Sequence, residues 1–349
     1  MPKITFMGAG STVFARNVLG DCMCTPSLCE SEIALYDIDA ERLEESYIIL
    51  SAINKNTNGG KATLKTYCGV ENRKEALRGA DFVVNAIQVG FYDPCTIIDF
   101  EVPKKYGLRQ TIADTMGIGG IMRALRTIPV LEDFARDMEE VCPNAWFLNY
   151  TNPMAMLSGY MQRYTNVKTV GLCHSVQVCS KELLKALGME DKVEGRRELI
   201  AGINHMGWLL KIEDKDGKVE HTRSSEYASY IMEAMVTGNP YKIGGNVLNT
   251  GLIDNLPADA CVEVPCLVDK MGVNPCHVGR LPVQLAAMNM TNINAQLMTI
   301  EAARTRKRED IYRAAMLDPH TAAELSIDDI VKMCDDLIEA HGDYMAMYK

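Results

Sequence analysis

The sequence predicts an α/β protein with a doubly wound parallel sheet followed by a C-terminal α+β domain. From residue 3 to about 190, short apolar runs alternate with helical patterns, which is typical of a parallel sheet with helices on both faces. The first run ends in a glycine turn, and after about residue 195 the apolar runs become longer. We therefore expect a first domain at residues 1–195 and a second at residues 196–349.

The first half begins with a strand at Lys3–Met7 and a helix after Ser11. The carboxyl ends of parallel strands meet at one edge of a sheet and form its ligand crevice. We expect Gly8, Asn85, Asn149 and Cys173, which each follow or close a strand, to converge there. The remaining strands are expected at Ile33–Tyr36, Phe82–Ala86, Trp146–Asn149 and Thr169–Leu172, and the remaining helices at Glu41–Asn56 and Met122–Val141.

The second half begins with two apolar runs that are typical of a pair of strands. A charged turn and a return strand toward Val219 follow them. Between the next two helices, the segment shows neither a clear helix pattern nor a clear strand pattern. Proline at a helix start and serine followed by acidic residues mark the later helices. The expected elements are strands at Leu199–Ile203 and Trp208–Glu213, a turn at Asp214–Gly217, and helices at Ser225–Met235, after Pro282 and from Ser326.

Composition limits the partners. The chain has 349 residues, of which 47% are hydrophobic, and 36 basic residues face 46 acidic ones for a formal charge of −10. Without a Lys/Arg cluster, this balance argues against nucleic acid or an anionic membrane and favours a neutral small molecule. No signal segment or membrane-crossing apolar run is evident, so we expect a cytoplasmic protein.

The 12 cysteines fit reduced thiols better than a disulfide framework, since several lie within apolar segments. Cys22, Cys24 and Cys29 lie close together near the end of the first helix. No histidine or second CxxC pair supports a zinc site there. We interpret these three as packing and loop positions.

The glycine turn predicts a Rossmann-like dinucleotide site. Gly8-Ala9-Gly10 follows a strand and precedes a helix, so that backbone amides can hold a pyrophosphate. The third glycine of the motif is replaced by Val13, which makes the motif incomplete. Asp37 closes the next strand and favours NAD over NADP, because it would repel a 2′-phosphate. The alternative, an aspartate that caps the following helix, fits Asp39 better than Asp37.

Further along, Asn85 and Gln88 follow another strand and would lie over the nicotinamide side of the crevice, although a simple strand-to-helix turn explains them almost as well. Asn149 and Asn152 present amides suited to sugar hydroxyls. The alternative is an Asx turn before Pro153.

Cys173 follows one buried strand and His205 another, so one metal ion could join them and keep open positions for substrate oxygens. Taken singly, such a cysteine is more often a buried apolar thiol and such a histidine a satisfied core residue.

Several motifs resemble glycoside hydrolase family 4, in particular its α-galactosidases. The likeness covers nearly the whole chain. The motifs that carry it are Ile4–Thr12, Gln110–Thr115, Gly119–Pro129, Asn149–Met154, Cys173–Gln177, Gly202–Met206, Asn249–Pro257 and Asp318–Ala323.

The resemblance implies a lactate/malate dehydrogenase-like architecture, a homodimer or homotetramer, and a glycosidase outside the usual two-carboxylate scheme. By this resemblance, NAD⁺ would take hydride from C3 of the sugar, a base would remove the C2 proton, and the C1 oxygen would leave by elimination. Water then adds at C1, and NADH returns the hydride. Mn²⁺ stabilises the enolate that forms.

By the same resemblance, Cys173 and His205 correspond to the metal ligands. Asn149, Asn152 and His174 match positions near the sugar, and His174 occupies the place of the acid that protonates the leaving group. The positions that match the NAD site are Gly8, Gly10, Ser11, Thr12 and Asp37, beside the strand-end residues Asn85 and Gln88.

One departure concerns the C2 base. In relatives a helical block supplies a tyrosine, whereas this chain passes from Thr222 directly to Arg223 and no matching tyrosine exists. Either the block was left out of this sequence near 222–223, which the intact flanking motifs favour, or it is deleted.

The main interpretation is an NAD- and Mn²⁺-dependent α-galactosidase. The alternatives are a relative specific for α-glucosides, uronides or phospho-sugars, a catalytically silent NAD-binding protein, and a plain hydroxy-acid or polyol dehydrogenase.

Overall fold

The computed structural model describes residues 1–111, 115–190, 193, 197–213 and 226–349. The strands are β1 Lys3–Met7, β2 Glu32–Asp37, β3 Thr63–Cys68, β4 Phe82–Asn85, β5 Trp146–Asn149, β6 Lys168–Leu172, β7 Arg197–Ile203, β8 Met206–Glu213, β9 Tyr241–Leu248, β10 Cys261–Asp269 and β11 Gly272–Pro275. The helices are α1 Thr12–Cys24, α2 Ala40–Asn58, α3 Arg73–Leu77, α4 Ile97–Lys105, α5 Gly117–Val141, α6 Met154–Tyr164, α7 Ser175–Ala186, α8 Tyr227–Thr237, α9 Val283–Thr305, α10 Arg308–Leu317, α11 Pro319–Glu324 and α12 Ile327–His341.

Six parallel strands run in the order β3-β2-β1-β4-β5-β6. This is the strand order of a doubly wound sheet that binds dinucleotides, so the predicted fold class is confirmed. The sheet continues beyond β6 through the antiparallel strands β9, β10, β7 and β8, while β11 pairs with β10. Gly171 and Leu172 of β6 pair with Asn246 and Gly245 of β9.

Both faces of the sheet are covered by helices. Along β4, Phe82 and Val84 belong to one buried cluster and Val83 to the other, as the period-2 alternation of a strand requires. The first cluster contains residues of α1, α2 and α8, and the second contains residues of α5, α6, α9 and α12. Each cluster includes residues from both halves, and the expected boundary between residues 195 and 196 stays a prediction.

The first-half elements expected from the sequence are confirmed, with bounds that differ by a few residues. The largest difference is in α5, which begins at Gly117 rather than Met122. Its glycines permit a close approach that other residues would block, because a Cβ on Gly120 would lie 2.7 Å from the carbonyl carbon of Thr115. None of the expected elements corresponds to β3, α3, α4, α6 or α7.

In the second half, β7, β8, α8, α9 and α12 confirm the expected strands and helices. The mixed segment contains two long strands, β9 and β10, that the sequence did not predict. The expected turn at Asp214–Gly217, the return strand toward Val219 and the expected gap near 222–223 lie outside the described residues. Within the described part of the chain, every helix is too short or too polar to span a lipid bilayer.

Candidate active site

The turn after β1 is fastened to the end of β2. The Gly8 and Ala9 amides donate to the Tyr36 carbonyl at 3.0 and 2.9 Å. Gly8 has a φ of +88°, and a Cβ there would lie 2.7 Å from Ala86 O, so the position requires glycine. The Ser11 side chain does not cap α1, and the first-turn amides of a helix have no intrahelical acceptor. This end of α1 can therefore receive a phosphate.

The two aspartates at the end of β2, Asp37 within it and Asp39 after it, have different partners. Asp37 Oδ2 accepts from the Gly10 amide at 2.6 Å, and its Oδ1 accepts from the Asp39 amide at 3.0 Å. Asp39 caps α2 by accepting from the Glu41 and Arg42 amides, as expected. Asp37 thus lies against the glycine turn, where a cofactor ribose would lie, and its contact with the cofactor stays a prediction. Thr12 Oγ1 contributes a 3.4 Å hydrogen bond to Gly10 O.

Asn85 and Asn149 close the neighbouring strands β4 and β5, and both are fully buried. Asn85 Nδ2 donates to Asn149 Oδ1 at 2.9 Å and to Thr151 Oγ1 at 3.1 Å. Asn149 Nδ2 in turn donates to Thr151 O and Ser158 Oγ. The two amides therefore fasten the strand-end connections to one another, and neither is exposed to a ligand in this arrangement.

Gln88 and Asn152 lie on the same edge and are more accessible. Gln88 is exposed, and its Nε2 donates to Thr96 Oγ1 at 3.2 Å. Asn152 Oδ1 accepts from the Met154 amide at 3.3 Å, which is the Asx turn that the sequence left open as the alternative. A direct contact of either residue with cofactor or sugar stays a prediction.

Cys173 and His205 meet at the carboxyl end of β6. His205 lies in the tight turn between β7 and β8, with a φ of +60°, a conformation that non-glycine residues seldom adopt. Its Nε2 is 3.4 Å from Cys173 Sγ. A sulfur about 2.3 Å and a nitrogen about 2.1 Å from one ion lie about 3.1 to 3.6 Å apart at octahedral to tetrahedral angles. The spacing therefore fits two ligands of one metal.

The ionisation of Cys173 also favours metal binding. Burial alone would raise the pKa of this thiol, but hydrogen bonds from His205, Ser175 and Asn204 outweigh burial and lower its pKa to about 6. Among the described residues there is no group of three or more His, Cys, Asp or Glu side chains able to hold a metal. With two protein donors, most coordination positions would be left to substrate and water, as in a catalytic rather than a structural site.

His174 lies beside Cys173 and is held on several sides. Its Nε2 is 2.7 Å from Glu226 Oε2. The Tyr150 ring lies 5.9 Å from the imidazole at an interplanar angle of 32°, and the Phe14 ring contacts it edge-on at 6.3 Å. The hydrogen bond to Glu226 raises the pKa of His174, and partial burial opposes that rise.

The sequence did not reveal a buried polar cluster behind the Cys173–His205 pair. Glu263 of β10 is 1% exposed, pairs in register with Gly202 of β7, and accepts from Asn246 Nδ2 at 3.2 Å. Burial, and next the charge of Cys173, raise the pKa of Glu263 to about 8. A lone glutamate in the apolar run Cys261–Cys266 was the one signal for it.

Comparison with known proteins identifies the family. The family model described as Family 4 glycosyl hydrolase matches residues 3–189, and the model of its C-terminal domain matches residues 216–321. This chain belongs to glycosyl hydrolase family 4. An α-galactosidase of Bacillus subtilis is 51% identical to this family 4 hydrolase, with all of both chains covered. That alignment spans 439 positions against 349 residues here, so about 90 positions face gaps in this chain.

Two solved structures show the fold of this family 4 hydrolase. The 6-phospho-β-glucosidase of Thermotoga maritima, solved with manganese, NAD⁺ and glucose-6-phosphate, has a TM-score of 0.83 at 19% identity and covers 98% of this chain and 99% of its own. The malate dehydrogenase of Cryptosporidium parvum has a TM-score of 0.60 at 15% identity, with 87% and 99% covered. The dehydrogenase-like architecture that the sequence predicted is confirmed.

Proposed function

We propose that this family 4 hydrolase is an α-galactosidase that uses NAD⁺ and Mn²⁺. The observation that carries the proposal is the 3.4 Å Cys173–His205 pair at the carboxyl end of β6, on the same edge of the sheet as the dinucleotide-type turn after β1. β1 and β6 are three strand spacings apart in the sheet, or about 14 Å. A dinucleotide at the turn would therefore extend toward the metal ligands. The 51% identity to an α-galactosidase supports the choice of sugar.

When bound, NAD⁺ supplies a hydride acceptor for C3 of the sugar and Mn²⁺ a Lewis acid for the oxygen at that carbon. Cys173 and His205 would hold the metal, since a thiolate with a pKa near 6 is ionised at neutral pH. Gly8, Gly10 and Asp37 would hold the cofactor, with Ser11 and Thr12 at the start of α1. Because the hydride would return to C3 at the end of each cycle, hydrolysis would consume no cofactor.

His174 is the residue proposed to handle the proton of the leaving group. It is adjacent to Cys173, its side chain is 46% exposed, and its pKa is raised, which keeps more of the ring protonated near neutral pH. A protonated imidazole can donate to the glycosidic oxygen as the C1–O bond breaks. Asn152 and Gln88, on the same edge, are proposed to contact sugar and cofactor.

Isotopically labelled substrates test the mechanism. With NAD⁺ and Mn²⁺ present, an α-galactoside deuterated at C2 or C3 should turn over more slowly than the unlabelled sugar, and C2 should exchange with solvent. Equal rates for all three substrates without exchange would instead indicate ordinary acid–base hydrolysis. A panel of α-glucosides, α-galacturonides and 6-phospho-sugars, measured by kcat/KM, decides whether another sugar is preferred.

A second candidate is a catalytically silent NAD-binding protein. It is favoured by the roughly 90 alignment positions that face gaps in this chain and by the absence of the expected base tyrosine from the sequence. Intact-mass analysis of the natural protein, together with NAD⁺ titration and the turnover assay, separates the two. Tight NAD⁺ binding by a 349-residue chain without turnover or C2 exchange would establish the silent protein. Stoichiometric release of NADH would indicate a dehydrogenase.

A further inference from the structure

Glu226 places a buried carboxylate against the imidazole of His174. The residue is 8% exposed and immediately precedes α8. Its Oε2 lies 2.7 Å from His174 Nε2, across 52 positions of the chain. This is the length of a charge-assisted hydrogen bond. Such a bond is strong when one partner is ionised and little exposed, so it restrains the ring.

The position of Glu226 at the start of α8 does not itself explain this contact. A residue at a helix start commonly turns its side chain back to cap the first amides, but the Glu226 side chain makes no such bond. Tyr150 takes part of that role, because its hydroxyl accepts from the Ala228 amide at 3.0 Å. The Glu226 carboxylate instead contacts His174.

Aromatic rings restrain the imidazole as well. Tyr150 lies along it and Phe14 meets it edge-on. With Nε2 directed at Glu226, the other ring nitrogen, Nδ1, makes no hydrogen bond to any residue that the structure describes. Since the His174 side chain is 46% exposed, Nδ1 is the nitrogen left for a ligand.

We propose that Glu226 is a positioning residue, which holds Nε2–H of His174 and so presents Nδ1 to the leaving-group oxygen of the substrate. The inference rests on the proposed function. The Nδ1 proton passes to the glycosidic oxygen as the C1–O bond breaks and its electron pair leaves with that oxygen. The ring then recovers a proton from the water whose oxygen adds to C1. Glu226 itself neither gains nor loses a proton in this sequence.

Two classes of substrate test the proposal on the full-length enzyme with NAD⁺ and Mn²⁺. For Glu226→Leu, kcat should fall about 10- to 100-fold on an alkyl α-galactoside or disaccharide, whose leaving oxygen needs a proton. On a nitrophenyl α-galactoside, whose phenolate leaves without one, kcat should change less than about 3-fold. Glu226→Gln should be intermediate, because its amide oxygen still accepts from Nε2–H. Glu233→Gln, on the same helix, is the matched control and should leave both substrates unaffected.

A second readout does not depend on turnover. The chain has six histidines, so ¹⁵N NMR of the imidazole nitrogens is tractable, with His174→Gln to assign the signal. At a pH at which the ring is neutral, we expect the Nε2–H tautomer of His174 in the wild type and a mixture of tautomers in Glu226→Leu. An unchanged His174 spectrum, or equal slowing of both substrate classes, would overturn the proposal. If the wild type cleaves no α-galactoside, the proposed function fails, and the NMR comparison still decides the role of Glu226.

Discussion

Cys173 Sγ lies 3.4 Å from His205 Nε2, although the two residues are 32 positions apart and follow different strands. The contact arises because β6 and β7 belong to one sheet, and because the two-residue turn after β7 places His205 over the end of β6. A thiolate and an imidazole at this spacing can serve as two ligands of one metal ion.

Removal of the thiolate should uncouple metal binding from cofactor binding. Cys173→Ser should weaken Mn²⁺ binding by more than the about 10- to 100-fold that loss of an outer partner causes, and NAD⁺ affinity should stay within about 2-fold because Asp37 and the glycine turn are untouched. Mn²⁺ binding is measured by electron paramagnetic resonance and NAD⁺ binding by calorimetry. The exposed Cys179, changed to serine, is the control. Undiminished Mn²⁺ binding by Cys173→Ser would rule out the ligand assignment.

Alkylation of the metal-free protein should reveal the Cys173 thiolate. Since its pKa is lowered to about 6, its reaction with iodoacetamide should be half-maximal near pH 6 and reach a plateau above pH 7. Burial raises the pKa of Cys142 to about 11, so this thiol should stay unmodified. Peptide mass spectrometry follows both sites, and Mn²⁺ should protect Cys173. Modification of Cys173 that begins only above pH 8 would contradict the assignment.

Substitutions of Asp37 and Asp39 at the end of β2 should have different effects, the first on cofactor preference and the second on stability. Asp37→Ala should weaken NAD⁺ binding about 10-fold and reduce the preference of the protein for NAD⁺ over NADP⁺. The substitution removes a carboxylate that can accept hydrogen bonds from the ribose hydroxyls and repel a 2′-phosphate. Asp39→Ala should instead cost about 1 kcal/mol of unfolding free energy by removing the α2 cap, with cofactor preference unchanged. Titrations with both cofactors and urea unfolding distinguish the two effects. The reverse assignment would follow if Asp39→Ala alone altered cofactor preference.

Glu263 should make stability fall as pH rises. The pKa of Glu263 is about 8 in the folded protein, against an ordinary value of 4.5 that applies to the unfolded chain. Between these two pH values the folded chain keeps a proton that the unfolded chain loses. The contribution of Glu263 to stability is therefore greatest below pH 4.5 and declines toward pH 8, by up to about 1.4 kcal/mol per pH unit. Glu263→Gln removes this term, so its stability relative to wild type should increase from pH 5 to pH 8.

Urea unfolding of both metal-free proteins at pH 5, 6.5 and 8 measures that difference. The comparison with wild type is needed because Cys173, whose pKa is lowered, contributes stability in the opposite direction as pH rises. Parallel pH dependences for the two proteins would show that Glu263 is ionised in the folded state.

The first half of the fold could be predicted because its information is local. The mostly apolar run Lys3–Met7 is followed by a glycine and then by a helix pattern, so each element can be predicted from a few neighbouring residues. β9 was missed because Gly244, Gly245 and Asn246 interrupt its strand pattern. Only pairing with β6 and β10 makes it a strand, and the pairing with β6 joins residues about 75 apart along the chain.

The sequence indicated which residues lie at the site better than it indicated what their side chains contact. Cys173 and His205 were identified because polar side chains after strands converge. The same rule predicted that Asn85 and Asn149 would face a ligand, whereas they bond to each other. Glu226 has no local pattern that points to His174, because its role depends on where α8 begins in space.

The pairing of β6 with β9, through Gly171–Asn246 and Leu172–Gly245, has a consequence for how a sugar enters and leaves. A hinge motion between the parallel strands and the antiparallel strands would break these hydrogen bonds in every catalytic cycle. A movement that opens the site and keeps these hydrogen bonds would have to occur in the connections beyond the strand ends.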